Sequence, residues 1–299
     1  MNLPEMPIFY WPTLSQVQLD TLLILGIICA VSILYCFIVG EITRNNSQMD
    51  KLWSILPPVY AWVSCVKGGF NFRLVIMAIL ATIWGIRLTI NFGRKGAYKL
   101  KFWEGEEDYR WKYLRGKKPF NNKIVWCIFN FFFISIYQNV LVLATTIPSV
   151  ALIGYEAPFN FMDIIAIVVT VGAITLEIVA DEQQWKFQQT KWGMIKEGKK
   201  LEELPAPYNI GFNTTGLWNF GRHPNYLGEQ LTWVGFYLFS IAAGVGVFNY
   251  SGIGALFLIL LFLGSSTLAE VISSSKYPLY KEYKKKVARY IFFTKYIKR

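Results

Sequence analysis

The densest chemistry in the chain lies in fourteen residues, Gly216-Leu-Trp-Asn-Phe-Gly-Arg-His-Pro-Asn-Tyr-Leu-Gly-Glu229. Pro224 suits the first position of a helix, where its missing N–H costs nothing. The amides of that helix start, with Arg222 and His223 just before it, make a site for an anion, and a phosphate-bearing cofactor would fit. Gly221 and Gly228 let backbone or ligand approach closely. His223 is the only histidine, which excludes a multi-histidine metal site. Its ring is either a satisfied structural group or a ligand contact.

Arg87, Glu177, Asp181, Glu229 and Glu270 lie in or at the ends of apolar runs. An ionisable group there costs about 3 kcal/mol on insertion scales and is usually turned inward and paired. Glu177 and Asp181 are four apart, as are Asn225 and Glu229, so each pair shares a helix face. One reading is structural ion pairing; the other is a polar cavity open to the cytosol. Clustering at one depth favours the cavity, because structural pairs need not share a level.

The elements that must position these groups follow from composition. The 299 residues are 54% hydrophobic, 17% aromatic and 16% charged, against about 25% charged in soluble domains. Much of the surface must therefore face lipid. Apolar runs of spanning length are Asp20–Gly40, Asn71–Phe92, Ile124–Pro148, Phe161–Ala180, Tyr226–Phe248 and Gly252–Val271, each near the 20 or so residues a crossing needs. A shorter run, Leu52–Val66, is interrupted by Pro57 and Pro58 and makes a kinked or unwound seventh crossing, or else a re-entrant segment. With the N-terminus outside, 27 of the 30 Lys and Arg fall in the four cytosolic segments, as the positive-inside rule requires. The expected fold is all-α: a seven-helix transmembrane bundle, C-terminus cytosolic, forming one integral membrane domain over residues 1–299.

The net charge of +11 falls in blocks between apolar runs, which suits membrane lipids and not nucleic acid. Cys29, Cys36, Cys65 and Cys127 show no paired spacing, so neither a disulfide framework nor a metal site is expected. The first nineteen residues lack Lys and Arg, so no cleavable signal peptide is expected. Tyr98–Arg115 and Pro278–Phe293 have the aromatic and basic composition of interfacial helices.

Arg222-His-Pro-Asn-Tyr-Leu-Gly-Glu229 resembles the signature of the steroid 5α-reductase-like superfamily, in the DUF1295 branch. Lys51-Leu-Trp-Ser-Ile-Leu-Pro57, Tyr60-Ala-Trp62, Arg87-Leu-Thr-Ile-Asn91, Glu107-Asp-Tyr-Arg-Trp111, Ala180-Asp-Glu-Gln183 and Lys276-Tyr-Pro-Leu-Tyr-Lys-Glu-Tyr283 resemble it too, in order from about residue 45 onward. The resemblance implies a seven-helix bundle holding NADPH in a pocket open to the cytosol, with a lipid or sterol substrate entering from the bilayer. By that resemblance Asn225 and Glu229 contact the nicotinamide or its ribose, with Tyr226 in the same motif. Asp181 contacts the cofactor from the fifth span, Arg87 and Arg94 lie near its phosphates, and Asn213 is on the loop that closes over them. Arg222 and His223 belong to the motif but vary between branches.

The chain departs from steroid 5α-reductases at three points. Ser54-Ile55 stand where those enzymes carry a Glu that engages a 3-keto oxygen; Trp84 replaces a tyrosine; Glu270 replaces a histidine of the seventh span. Tyr60 is the nearest candidate proton donor, or else an interfacial aromatic.

The leading expectation is an NADPH-dependent reductase of a carbon–carbon double bond in a sterol or other lipid, in the endoplasmic reticulum if eukaryotic or the inner membrane if bacterial. The alternative is an S-adenosylmethionine-dependent methyltransferase of membrane lipids or isoprenylcysteine, which shares the Arg-His-Pro-x-Tyr turn. A receptor or lipid-binding scaffold is a third class, but the chain has no receptor motif.

Overall fold

The computed structural model describes residues 9–10 and 13–290. Its helices are α1 (Gln16–Thr43), α2 (Gln48–Trp53), α3 (Leu56–Lys67), α4 (Phe72–Gly93), α5 (Tyr109–Arg115), α6 (Lys123–Phe129), a π-helical stretch (Asn130–Tyr137), α7 (Gln138–Ala151), α8 (Phe161–Lys196), α9 (Pro224–Ala242), α10 (Ile253–Lys276) and α11 (Tyr280–Lys286). The one β pairing among the described residues is two residues long, β1 (Phe9–Tyr10) running parallel to β2 (Phe248–Asn249). Among the described residues, five segments are long and apolar enough to cross a membrane: Gln16–Thr43, Phe72–Gly93, Lys123–Ala151, Phe161–Lys196 and Tyr250–Lys276. The chain is an integral membrane protein.

Two of the seven expected crossings are not among those five. The first is divided into α2 and α3, and the break falls at Ser54–Ile55, with Pro57 and Pro58 in the first turns of α3. The prolines start a helix there instead of kinking one, because that position needs no N–H. The second, α9, is long enough, but its first two turns carry Asn225, Glu229 and Gln230.

Contacts divide the chain into two compact units. Unit 1 comprises Met1–Thr170 and Trp233–Leu258; unit 2 comprises Val171–Thr232 and Ile259–Arg299.

In unit 1, α1 opens on a capping box between Ser15 and Gln18. Its inward face is mostly small or polar (Thr21, Cys29, Ser32, Cys36, Gly40) around the fully buried Leu25, and its exposed face is Leu23, Ile27, Val31, Leu34, Ile38 and Ile42. This inverts the soluble pattern, as lipid solvation demands. At the start of α4, Arg73 forms a buried bidentate pair with Asp163, at 2.7 and 2.8 Å. A Cβ on Gly85 would lie 2.5 Å from the Ser54 carbonyl oxygen, so glycine permits the close approach of α4 to the α2–α3 break.

The interfacial helix expected over Tyr98–Arg115 is confined to α5. The residues before it are held as a loop. The fully buried Lys51 donates to the carbonyls of Phe102 and Glu104 at 2.7 and 2.6 Å, Glu107 accepts from the Asn46 amide at 2.8 Å, and Trp111 donates to Asp50 at 2.8 Å. Helical amphipathicity was the wrong reading for these aromatics, because the α1–α2 turn competes for their backbone.

In unit 2, α8 continues from Ala180, where the apolar run ends, to Lys196. Hydropathy ends there but helix propensity does not, since Asp181–Trp192 contains neither Gly nor Pro. Ile210, Phe212, Tyr280, Tyr283 and Val287 form an apolar core with Tyr277 packed against it. The tail helix is shorter than the expected Pro278–Phe293, ending at Lys286; residues 291–293 lie outside the described part.

Candidate functional site

Pro224 opens α9, and the Leu227 amide closes its first turn on the His223 carbonyl at 3.1 Å. The two amides just before the helix are taken by the tail: Arg222 donates to the Ala288 carbonyl and His223 to that of Arg289, each at 3.0 Å. The side chains of this turn converge on Glu270, which is fully buried on α10. Arg222 Nε and Nη2 lie 3.0 and 2.8 Å from its Oε1, and His223 Nε2 lies 3.2 Å from the same oxygen. Lys284 Nζ is 3.1 Å from Oε2, and Arg289 Nε is 3.3 Å from Oε1. Three permanent cations thus share one carboxylate. His223 stacks on Tyr226 with ring centroids 5.1 Å apart. Burial pushes its imidazole below the ordinary histidine range, against the opposing pull of Glu270.

At the second residue of α9, Asn225 donates to Asp181 Oδ1 at 3.1 Å, and two turns further on Thr232 donates to Glu177 Oε1 at 3.0 Å. The acids on one face of α8 therefore meet neutral donors on α9. Gly228 allows it: a Cβ there would sit 2.4 Å from Glu177 Cγ. Glu229 is buried on the same helix.

The α8–α9 connection closes on α8 through the Leu217 amide to Gln183 (2.8 Å) and the Trp218 indole to the Ala180 carbonyl (3.0 Å). Tyr283 pins it from the tail by donating to the Trp218 carbonyl. Asn213 is buried in this connection. Its Oδ1 accepts from the amide and hydroxyl of Thr215 at 3.0 and 2.8 Å, which fixes the amide orientation and leaves Nδ2 without an acceptor among the described residues. A cleft of about 390 Å³ in the same connection is lined by Pro207, Asn209, Thr214, Thr215, Gly216 and Asn219 among others.

The family model described as "Protein of unknown function (DUF1295)" matches residues 36–287. The chain belongs to that family. "Uncharacterized protein C594.04c" of Schizosaccharomyces pombe (strain 972 / ATCC 24843) is 37% identical over 281 residues, covering 87% of this chain and 78% of that relative. No solved structure matches.

Within this DUF1295 chain, unit 2 holds Asp181, Asn213, Arg222, His223, Asn225, Tyr226 and Glu229, while unit 1 holds Tyr60, Arg87 and Arg94. Arg94 donates to Asn91 Oδ1 through Nε and Nη2, at 3.2 and 3.0 Å. Arg87 is half-buried on α4. Tyr60 is fully buried, with the Cys29 thiol as its polar neighbour.

Sequence reasoning did not find Lys284, Arg289 or Tyr283 as partners of the Arg-His-Pro turn. Their signal was the alternation of tyrosine and lysine over 280–286, which reads equally well as a headgroup contact. It also passed over Lys191, which is buried near the end of α8.

Proposed function

We propose that this protein is an NADPH-dependent reductase of a carbon–carbon double bond in a sterol or other lipid. The observation that carries the reading is Asn213. A buried amide donor without an acceptor costs about 1–3 kcal/mol, a cost that an acceptor on a bound ligand would remove, and the next residues in the chain, Thr214 and Thr215, line a cleft. The donor set fits such a cofactor: the Asp181–Asn225 pair and Glu229 offer neutral and acidic contacts to a ribose or carboxamide, and the Arg222 turn carries excess positive charge. That excess favours a phosphorylated cofactor over the cationic sulfonium of S-adenosylmethionine.

When bound, reduced nicotinamide supplies a hydride. The chain's own part in unit 2 is to fix the cofactor through Asn213, Asn225, Asp181 and Glu229 and to exclude bulk water. Tyr60 is assigned the proton that goes to the second carbon. Its hydroxyl is buried, and it accepts or donates to nothing stronger than a thiol.

The reading includes seven crossings with the N-terminus outside, α2–α3 and α9 completing the five long spans. The distribution of lysine and arginine supports it. Purified protein should shift in melting temperature with NADPH and not with S-adenosylmethionine, and Asn225→Ala or Asp181→Asn should remove the shift. A shift with S-adenosylmethionine alone would replace the reductase with a methyltransferase.

A further inference from the structure

Lys191 is 2% exposed. Its ammonium donates to the Gly211 carbonyl at 2.7 Å and to the Tyr277 hydroxyl at 3.3 Å. It lies 5.1 Å from the Trp192 ring and 5.4 Å from that of Tyr277. Lys276 Nζ lies over the same two rings, at 5.3 and 5.4 Å. Among the described residues neither lysine pairs with a carboxylate, and the charge that Lys191 feels most is that of Lys276. Burying an ammonium costs several kcal/mol unless it is compensated. A carbonyl, a phenol and three ring faces, that of Phe187 at 5.7 Å included, compensate in part, but they cannot cancel the mutual repulsion of two cations.

Both lysines stand near helix ends. Lys276 is the last residue of α10, and Lys191 lies five residues before the end of α8. The helix dipole favours a cation at such an end, which accounts for either lysine alone but not for their sharing two rings. Both helices are of spanning length; Lys276 and Tyr277 close the α10 span, where lysine and aromatics suit headgroup depth, and Lys191 and Trp192 meet them from the part of α8 that runs past its apolar segment. Trp192 is 43% exposed and Lys276 is exposed, so the site is open on one side.

We propose that Lys191, Lys276, Trp192 and Tyr277 form a binding site for an acidic phospholipid, recognised by its phosphate and headgroup charge. The phosphate lies with the two ammonium groups and relieves their repulsion, while the ring faces seat the glycerol end. This goes beyond the reductase reading and does not rest on it.

The test is native mass spectrometry of the full chain titrated with phosphatidylserine against phosphatidylcholine, with a vesicle assay as a second readout. Wild type should prefer phosphatidylserine by roughly thirtyfold, the size expected when two cations near a membrane surface contribute about 1 kcal/mol each. Lys276→Gln leaves the Gly211 bond untouched; it should remove most of that preference at an unchanged melting temperature. Lys191→Met should also remove most of that preference, with the modest loss of stability that its bond to Gly211 implies. Lys281→Gln, an exposed lysine of the tail, should keep the preference. The site is overturned if the two lipids bind equally, or if Lys281→Gln costs as much as Lys276→Gln, which would make the effect diffuse surface charge. It is also overturned if inorganic phosphate competes as well as the lipid, or if Lys276→Gln weakens NADPH binding and spares the lipid.

Discussion

Around Glu270, Arg222, His223, Lys284 and Arg289 gather on one buried carboxylate, whereas Lys191 and Lys276 share the faces of Trp192 and Tyr277 with no acid between them. Both groups belong to unit 2 and both use cations from α8–α11 and their connections. The first is built from short charge-assisted bonds that tie the α9 start to α10 and the tail; its acid is fully engaged. The second holds its charges by carbonyl, phenol and aromatic faces and keeps unspent positive potential. The residue type is the same in both, but an acid at the centre makes the first cluster a fastener with some positive charge to spare, whereas the second, without an acid, has all of its charge open to an anion.

The contrast breaks most visibly at its acid. Glu270→Gln leaves three permanent cations facing one another in a buried place, and stability should fall by about 3–5 kcal/mol, read as a lower melting temperature in detergent. A melting temperature that hardly moves would mean that the cluster is not a fastener.

Lys191→Met removes a charged hydrogen bond to the Gly211 carbonyl and also a costly buried ammonium, so the net loss should be smaller, about 1 kcal/mol. Its signature is faster amide exchange over residues 208–213. Lys276→Gln should change stability by less than about 0.5 kcal/mol, which keeps fastening and anion binding separable.

The smallest effect is one of pH. His223 is held below its ordinary value by burial, so the unfolded chain takes up the proton first. Its contribution is complete above about pH 6.5 and is lost as pH falls through the folded value. His223→Gln should flatten that limb of the stability profile. A limb that persists in this variant would assign the titration to another group.

Parts of this were legible in the chain itself. Pro224 marked the start of α9 because proline is tolerated only where no N–H is needed, and the lipid-facing spans followed from hydropathy. The α2–α3 break was visible as Pro57-Pro58 but was placed at the wrong residue, since a proline pair starts a helix as readily as it bends one. The loop before α5 was misread because its aromatics answer to Lys51, fifty residues away in sequence, and no local pattern encodes that partner.

The sequence by itself determined that the chain is solvated by lipid, where most of its helices begin, and which costly polar residues must turn inward. These are consequences of local composition and backbone chemistry, which need no knowledge of distant neighbours. Only the tertiary structure decided that Arg222 and His223 answer to Glu270 and the tail, that Asp181 meets Asn225, and that Lys191 and Lys276 meet each other without an acid. Hydrogen bonds and direct ion pairs need partner atoms within about 3–4 Å, and those distances exist only once α8, α9, α10 and the tail are packed.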